Sequence, residues 1–146
     1  MMIQTMMKPG TYYVGDLCYV FSDERWNEVC DLIIEGHKVK DGEFTMADGT
    51  RFAIYSTKYG DGLYEDNFGQ RIAVDSGSIG CISIEHIDAD RLKEILNRNL
   101  AGVYTFKTAF ETGYEDDNKS VISFGNTVFV DTDPQDDEEE DEEEED

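Results

Sequence analysis

A chain of 146 residues with 39% hydrophobic and 12% aromatic content has the size and composition of one domain closing one core. Its 34 acidic residues against 12 basic ones give a formal net charge of -22. That balance disfavours direct binding to phosphate backbones and to anionic lipid surfaces, because both attractions run through Lys and Arg. The same field attracts basic partners and speeds their association, which keeps a nucleic-acid-binding protein among the candidate targets.

The start, MMIQTMMKPG, has no basic n-region, no long apolar stretch and no small-residue cleavage site, and no window approaches the roughly 18 apolar residues of a membrane span. A soluble protein made in a cytoplasm is the expectation. TYYVGDLCYVF, residues 11 to 21, is aromatic and β-branched with Gly15-Asp16 as an interruption, which predicts one kinked strand or two short ones. A helix follows. Ser22 is its cap, Asp23 and Glu24 suit its positive end, and Trp26, Val29, Cys30 and Ile33 recur at helical spacing before Gly36 stops it.

Asp48-Gly49 between two strand-like runs in EFTMADGTRFAIYST predicts a hairpin. Residues 70 to 74 and 79 to 84 read as another strand pair around the Asp75–Gly77 turn. A second helix is expected from about Asp88 to Asn99, capped by Asp88 or Asp90, with Ile87, Leu92, Ile95 and Leu96 as its apolar stripe. GVYTFKTAF and SVISFGNTVFV predict two or three further strands, joined through ETGYEDDNK and Gly125-Asn126. The expected fold is therefore α+β: an antiparallel or mixed sheet of about seven to eight strands with two helices on one face or at one end.

Residues 131 to 146, DTDPQDDEEEDEEEED, carry 13 acidic positions and no apolar side chain, so this stretch predicts a disordered polyacidic tail after a single domain of residues 1 to 130. The remaining 21 acidic residues against all 12 basic ones leave the body at about -9, acidic in its own right.

Several phrases raise chemistry. Asp75-Ser76-Gly77-Ser78 after Ile72-Ala73-Val74 matches the apolar-Asp-Ser/Thr-Gly phrase of aspartic proteases, and Asp75 would then be catalytic in a symmetric dimer. The charged helix DADRLKEILNRN stands where that family carries a flap hairpin, and a turn between strands explains the phrase without catalysis. Asp61, Glu65, Asp66 and Asn67 supply oxygen ligands suited to calcium or magnesium, but Leu63 breaks the EF-hand spacing and no metal site is expected. Cys18, Cys30 and Cys81 lack disulfide or zinc spacing and read as small apolar residues. His37 and His86 have no ligand spacing either, although Cys18 or Cys81 with His86 can be drawn as a nucleophile and base. No cofactor motif is present.

Gly15, Asp16, Cys18 and Tyr19, then Gly60 to Tyr64, then Val74 to Gly77, resemble the Gly-Asp-x-Cys-Tyr, Gly-Asp-Gly-x-Tyr and Val-Asp-small-Gly phrases of a set of small acidic proteins encoded by bacteriophages and other mobile elements. The resemblance covers about residues 10 to 85 and implies a phage-like origin with no enzymatic activity to inherit.

The leading expectation is a non-enzymatic acidic binding protein, an inhibitor of phage type that engages a basic host protein handling nucleic acid or serving defence. Its candidate binding residues are Asp16, Asp61, Tyr64, Asp66 and Asp75. The alternative is a small hydrolase or ligand-sequestering domain whose Asp16, Asp61 and Asp75 converge on a pocket beside Tyr64. Against both stands the reading in which Asp16 and Asp75 bond backbone amides in turns and Tyr64 packs.

Overall fold

A computed structural model describes residues 7–36 and 38–133 of the chain. The expectations for His37 and for the tail from residue 134 onward lie outside the described residues. The centre is a five-stranded antiparallel sheet in the order β4-β5-β8-β1-β9, formed by Gly42–Thr45, Arg51–Ser56, Ser78–Ser83, Gly10–Gly15 and Gly102–Phe106. Around it lie a three-stranded sheet of β10 (Thr112–Tyr114), β11 (Val121–Phe124) and β12 (Val128–Asp131), and two hairpins. These are β2–β3 (Ile34–Glu35 with Lys38–Val39) and β6–β7 (Gly62–Glu65 with Arg71–Val74).

The α+β class is as expected, but the strand count is not. Among the described residues, twelve strands in four sheets replace one sheet of seven or eight. The extra strands are two to four residues long, and such short stretches show too little alternation to read as strands.

Alternation along the central strands buries both faces. Tyr12, Val14, Ala53, Tyr55, Ile79 and Cys81 join the core under β10–β12 and β6–β7, whereas Tyr13, Phe52, Ile54 and Ile82 join the core under the helices. Helix α1, Asp23–Ile33, starts at Ser22, whose hydroxyl accepts from Arg25 N, and sets Val29 and Ile33 against the sheet. Helix α2, Ala89–Asn97, is capped by Asp88 and sets Ile95 into the same core, with Leu96 left exposed.

The Asp48-Gly49 hairpin forms as expected between β4 and β5, with Gly49 at φ +96°. The expected pairing around Asp75–Gly77 does not form. β7 pairs with β6, and β8 pairs with β5 and β1, so residues 75–77 cross from an outlying hairpin into the central sheet. At the other end of the chain, Asp131 closes β12 and Thr132 is fully buried, its N–H donating to Ser120 O at 2.7 Å. The folded body thus extends beyond residue 130, where composition alone placed its end.

A carboxylate and hydroxyl network ties the central sheet to β10. Glu43 accepts from Arg51 Nη2 at 2.8 Å and from the Thr112 hydroxyl at 3.0 Å, and Thr112 meets the Tyr55 hydroxyl at 2.7 Å. Asp41 accepts from the backbone and hydroxyl of Ser56 and from the Tyr114 hydroxyl, each within 3.0 Å. Burial is the first cause that raises the Tyr55 phenol, to about 12, and burial also raises those of Tyr13, Tyr104 and Tyr114.

A phenol raised in the fold contributes stability that is fully present below its unfolded value near 10 and lost as pH climbs through the folded value. Unfolding in denaturant should therefore become easier from about pH 10 to about pH 12, by up to about 1.4 kcal/mol per pH unit for each of the buried Tyr13 and Tyr55 and by less for the half-buried Tyr104 and Tyr114. Tyrosinate absorbance from these four phenols should appear together with unfolding, not ahead of it. A fold whose tyrosines titrate near pH 10 without loss of stability contradicts this network.

Candidate functional site

The loop after β5 gathers three distant segments. Thr57 donates its N–H to Gly77 O at 3.0 Å and its hydroxyl to Gly60 O at 2.8 Å. Lys58 donates its N–H to Thr132 Oγ1 at 3.0 Å and its Nζ to Asn118 O at 3.1 Å. The Tyr59 hydroxyl reaches the Asp133 carboxylate at 3.0 Å. Loops 57–61, 75–77 and 115–120 and the end of β12 thus share one end of the molecule.

Sequence within these segments is acidic. Asp61, Asp75, Asp117 and Asp131 are exposed, and Asp116 and Asp133 are half-buried, against the ammonium groups of Lys58 and Lys119. At neutral pH like charges gathered this closely make a negative field that focuses cationic groups from solution. Eleven further side-chain carboxylates follow Asp133 in the sequence.

Asp16 stands behind this surface and is fully buried. One carboxylate oxygen accepts from Asp75 N and Ser76 N, both at 2.7 Å; the other accepts from Cys18 N at 2.9 Å and from the Ser76 hydroxyl at 2.8 Å. Its four donors fill the acceptor positions of a carboxylate. Asp16 therefore positions the 75–77 connection and has no capacity left for a ligand. Ser76 in turn meets the Ser78 hydroxyl at 2.9 Å. Asp116 does similar work in its own loop, accepting from the N–H groups of Ser120 and Val121 and from the Ser120 hydroxyl, which holds its carboxyl below the usual range.

Of the five residues expected to bind, the structure brings Asp16, Asp61, Tyr64 and Asp75 to this end, in different roles. Tyr64 is buried and its hydroxyl donates to Gly60 O at 2.9 Å, so it packs and braces the loop. Asp61 and Asp75 present their carboxylates to solvent. Asp66 lies at the opposite end of the β6–β7 hairpin and is buried, accepting from Phe68 N at 2.8 Å, Gln70 N at 3.0 Å and the Tyr104 hydroxyl.

Sequence reasoning missed Tyr59, Asp117, Asp131 and Asp133 as members of this end. The acidic runs EDDN and DTD were visible, but their convergence rests on Lys58–Thr132 and Tyr59–Asp133 contacts across 74 residues.

Thiol chemistry has little support. Burial first, then the neighbouring Asp16 charge, pushes the Cys18 thiol far up, and burial does the same to fully buried Cys81. Both are protonated at neutral pH, whereas a cysteine nucleophile works as thiolate. Asp75 is exposed on a connection whose N–H is held by Asp16, an arrangement unlike two carboxylates sharing a proton. Among the described residues no group of three or more His, Cys, Asp or Glu is placed to hold a metal ion, and no helix is long and apolar enough to cross a membrane. No protein-family model, curated protein or solved structure matches the chain.

Proposed function

We propose that the protein is a non-enzymatic binding protein whose acidic loop end engages a basic protein surface. The observation that supports this reading is the division of labour among the carboxylates. Asp16 and Asp116 are spent on holding loops, and the loops they hold present Asp61, Asp75 and Asp117 outward. The end of β12 adds Asp131 and Asp133 and leads into the acidic tail sequence. In the phage-type setting that the sequence resemblance implies, the partner is a host protein that handles nucleic acid or serves defence, and binding inhibits it. The carboxylate-pocket alternative draws less support, because Asp16, one of its three carboxylates, faces inward and is saturated.

Contacts of this kind weaken with salt, because exposed charges farther apart than about 10 Å are screened at about 0.1 M ionic strength. A host protein retained by the full chain at about 50 mM salt should be released before about 500 mM, and its mass-spectrometric identity should show a basic surface. Retention that is indifferent to salt, or retention of acidic proteins alone, contradicts the proposal.

A further inference from the structure

The tip of the β6–β7 hairpin carries a second surface, independent of the acidic end. Residues 67–69 form a three-residue loop in which Gly69 N donates to Asp66 O at 3.0 Å and Gly69 takes φ +83°, the bulged turn favoured for loops of this length. The loop is pinned twice. Asp66 holds the N–H groups of Phe68 and Gln70, while Asn67 exchanges two hydrogen bonds with the backbone of Phe129 and one with Thr127 O.

This rigid tip turns a large apolar side chain outward. Phe68 is 60% exposed and stacks on Tyr104, with ring centroids 5.3 Å apart and planes at 26°. Tyr104 is itself fixed by its hydroxyl on Asp66 and by Gly102, where a Cβ would meet the Tyr104 ring at 2.8 Å and Gln70 Cγ at 3.1 Å. The Gln70 side chain therefore lies beside the stacked rings. Its amide donates to Asn99 Oδ1 at 2.7 Å and to Arg71 O at 2.9 Å.

That leaves Gln70 Oε1 as an acceptor and Asn99 Nδ2 as a donor with no partner among the described residues. An amide flip exchanges atoms but still leaves one donor and one acceptor. The pinned loop holds the exposed Phe68 ring in one orientation, with Tyr104 stacked against it, so the ring is a preorganised aromatic platform.

We propose that this tip is a nucleobase site: the base stacks on Phe68 and turns an edge bearing adjacent donor and acceptor groups, as adenine does, toward the Gln70–Asn99 pair. Stacking supplies affinity because every base offers a π face, and the amide pair adds hydrogen bonds to a base edge with an adjacent donor and acceptor, of which adenine is one. Arg71 and Arg98, both exposed and adjoining the pair in sequence, relieve the negative field for a ligand that carries a phosphate.

The test titrates the isotopically labelled full chain with adenosine, with AMP and with a short oligo-deoxyadenylate, reading amide chemical shifts. Saturable shifts grouped on residues 67–71, 98–100 and 104 are expected for at least one of the three, and Phe68→Ala should weaken binding roughly five- to hundredfold. Phe68 is exposed, so this variant should keep the native spectrum elsewhere. Binding of adenosine and AMP without the oligonucleotide assigns the site to a free nucleoside; stronger binding of the oligonucleotide assigns it to a base within a strand. Absence of saturable shifts with all three, or shifts that survive Phe68→Ala, would overturn the proposal.

Discussion

Asp16→Ala lowers stability by about 3–5 kcal/mol, because one buried carboxylate that satisfies four donors is lost. Urea unfolding should show an earlier midpoint with an unchanged slope, because the surface exposed on unfolding stays the same. The size of the effect comes from what is left behind. Three backbone N–H groups, of Cys18, Asp75 and Ser76, and one hydroxyl lose their acceptor together. Each unsatisfied donor sealed from water costs about 1–3 kcal/mol, and water entering the gap recovers part of the sum. Asp16→Asn keeps the shape but turns an NH2 group toward donors, so it should also destabilise. Asp75→Ala is the control: its side chain is exposed, and a change within about 0.5 kcal/mol is expected. If Asp16→Ala proved as mild as Asp75→Ala, Asp16 would not be the brace of the crossing between β7 and β8.

Gly80→Ala is the second large effect. A Cβ at position 80 would lie 2.2 Å from Ala53 O and 2.9 Å from Leu17 Cδ1. A flexible side chain can swing away, but a backbone carbonyl in the neighbouring strand moves only with that strand. Gly80 pairs with Ile54 on one side and with Gly15 on the other. The two facing glycines open the sheet surface over which Leu17 folds back, fully buried, after the chain turns at Asp16. Overpacking of this kind costs about 1–3 kcal/mol and occasionally more, and with backbone as the obstacle the upper end is expected. Thermal unfolding would show it as a drop of several degrees, roughly 4–8 °C per kcal/mol in a domain of about 100 residues or fewer and somewhat less in a longer one. Gly113→Ala meets nothing within 4 Å and should leave the midpoint in place.

Much of the fold was legible where local signals are strong. Ser22 caps the first helix as read, and Asp88, one of the two caps read for the second, caps that one, because a cap is a contact within three residues. Asp48-Gly49 marked its hairpin because the turn chemistry is local too. The strands on either side of Asp75–Gly77 were found, but their partners were not. A short connection between two strands suggests a hairpin, and only the long-range bonds from Asp16, 59 and 60 residues away, show that the chain crosses between sheets here.

The site was legible in a similar, partial way. Asp16 stood out through the interruption of an apolar run, and its meaning as a brace follows from burial, which sequence does not display. Asp66 was singled out as a ligand-facing acid in a loop; instead it follows β6, bridges to Val130 and organises a turn. Tyr104 and Asn99, which complete the hairpin-tip surface, carry no local signal. They reach Phe68 and Gln70 only through tertiary packing.

The acidic-end account is tested most directly by the Asp61→Asn, Asp75→Asn and Asp117→Asn triple variant in the full chain, compared with the native protein in a host-lysate pull-down across a salt series. All three side chains are exposed, so the variant should unfold at the native midpoint. The account predicts that a basic partner held by the native chain at low salt is lost, or released at distinctly lower salt, by the variant. A partner retained equally by both proteins at every salt concentration would contradict it.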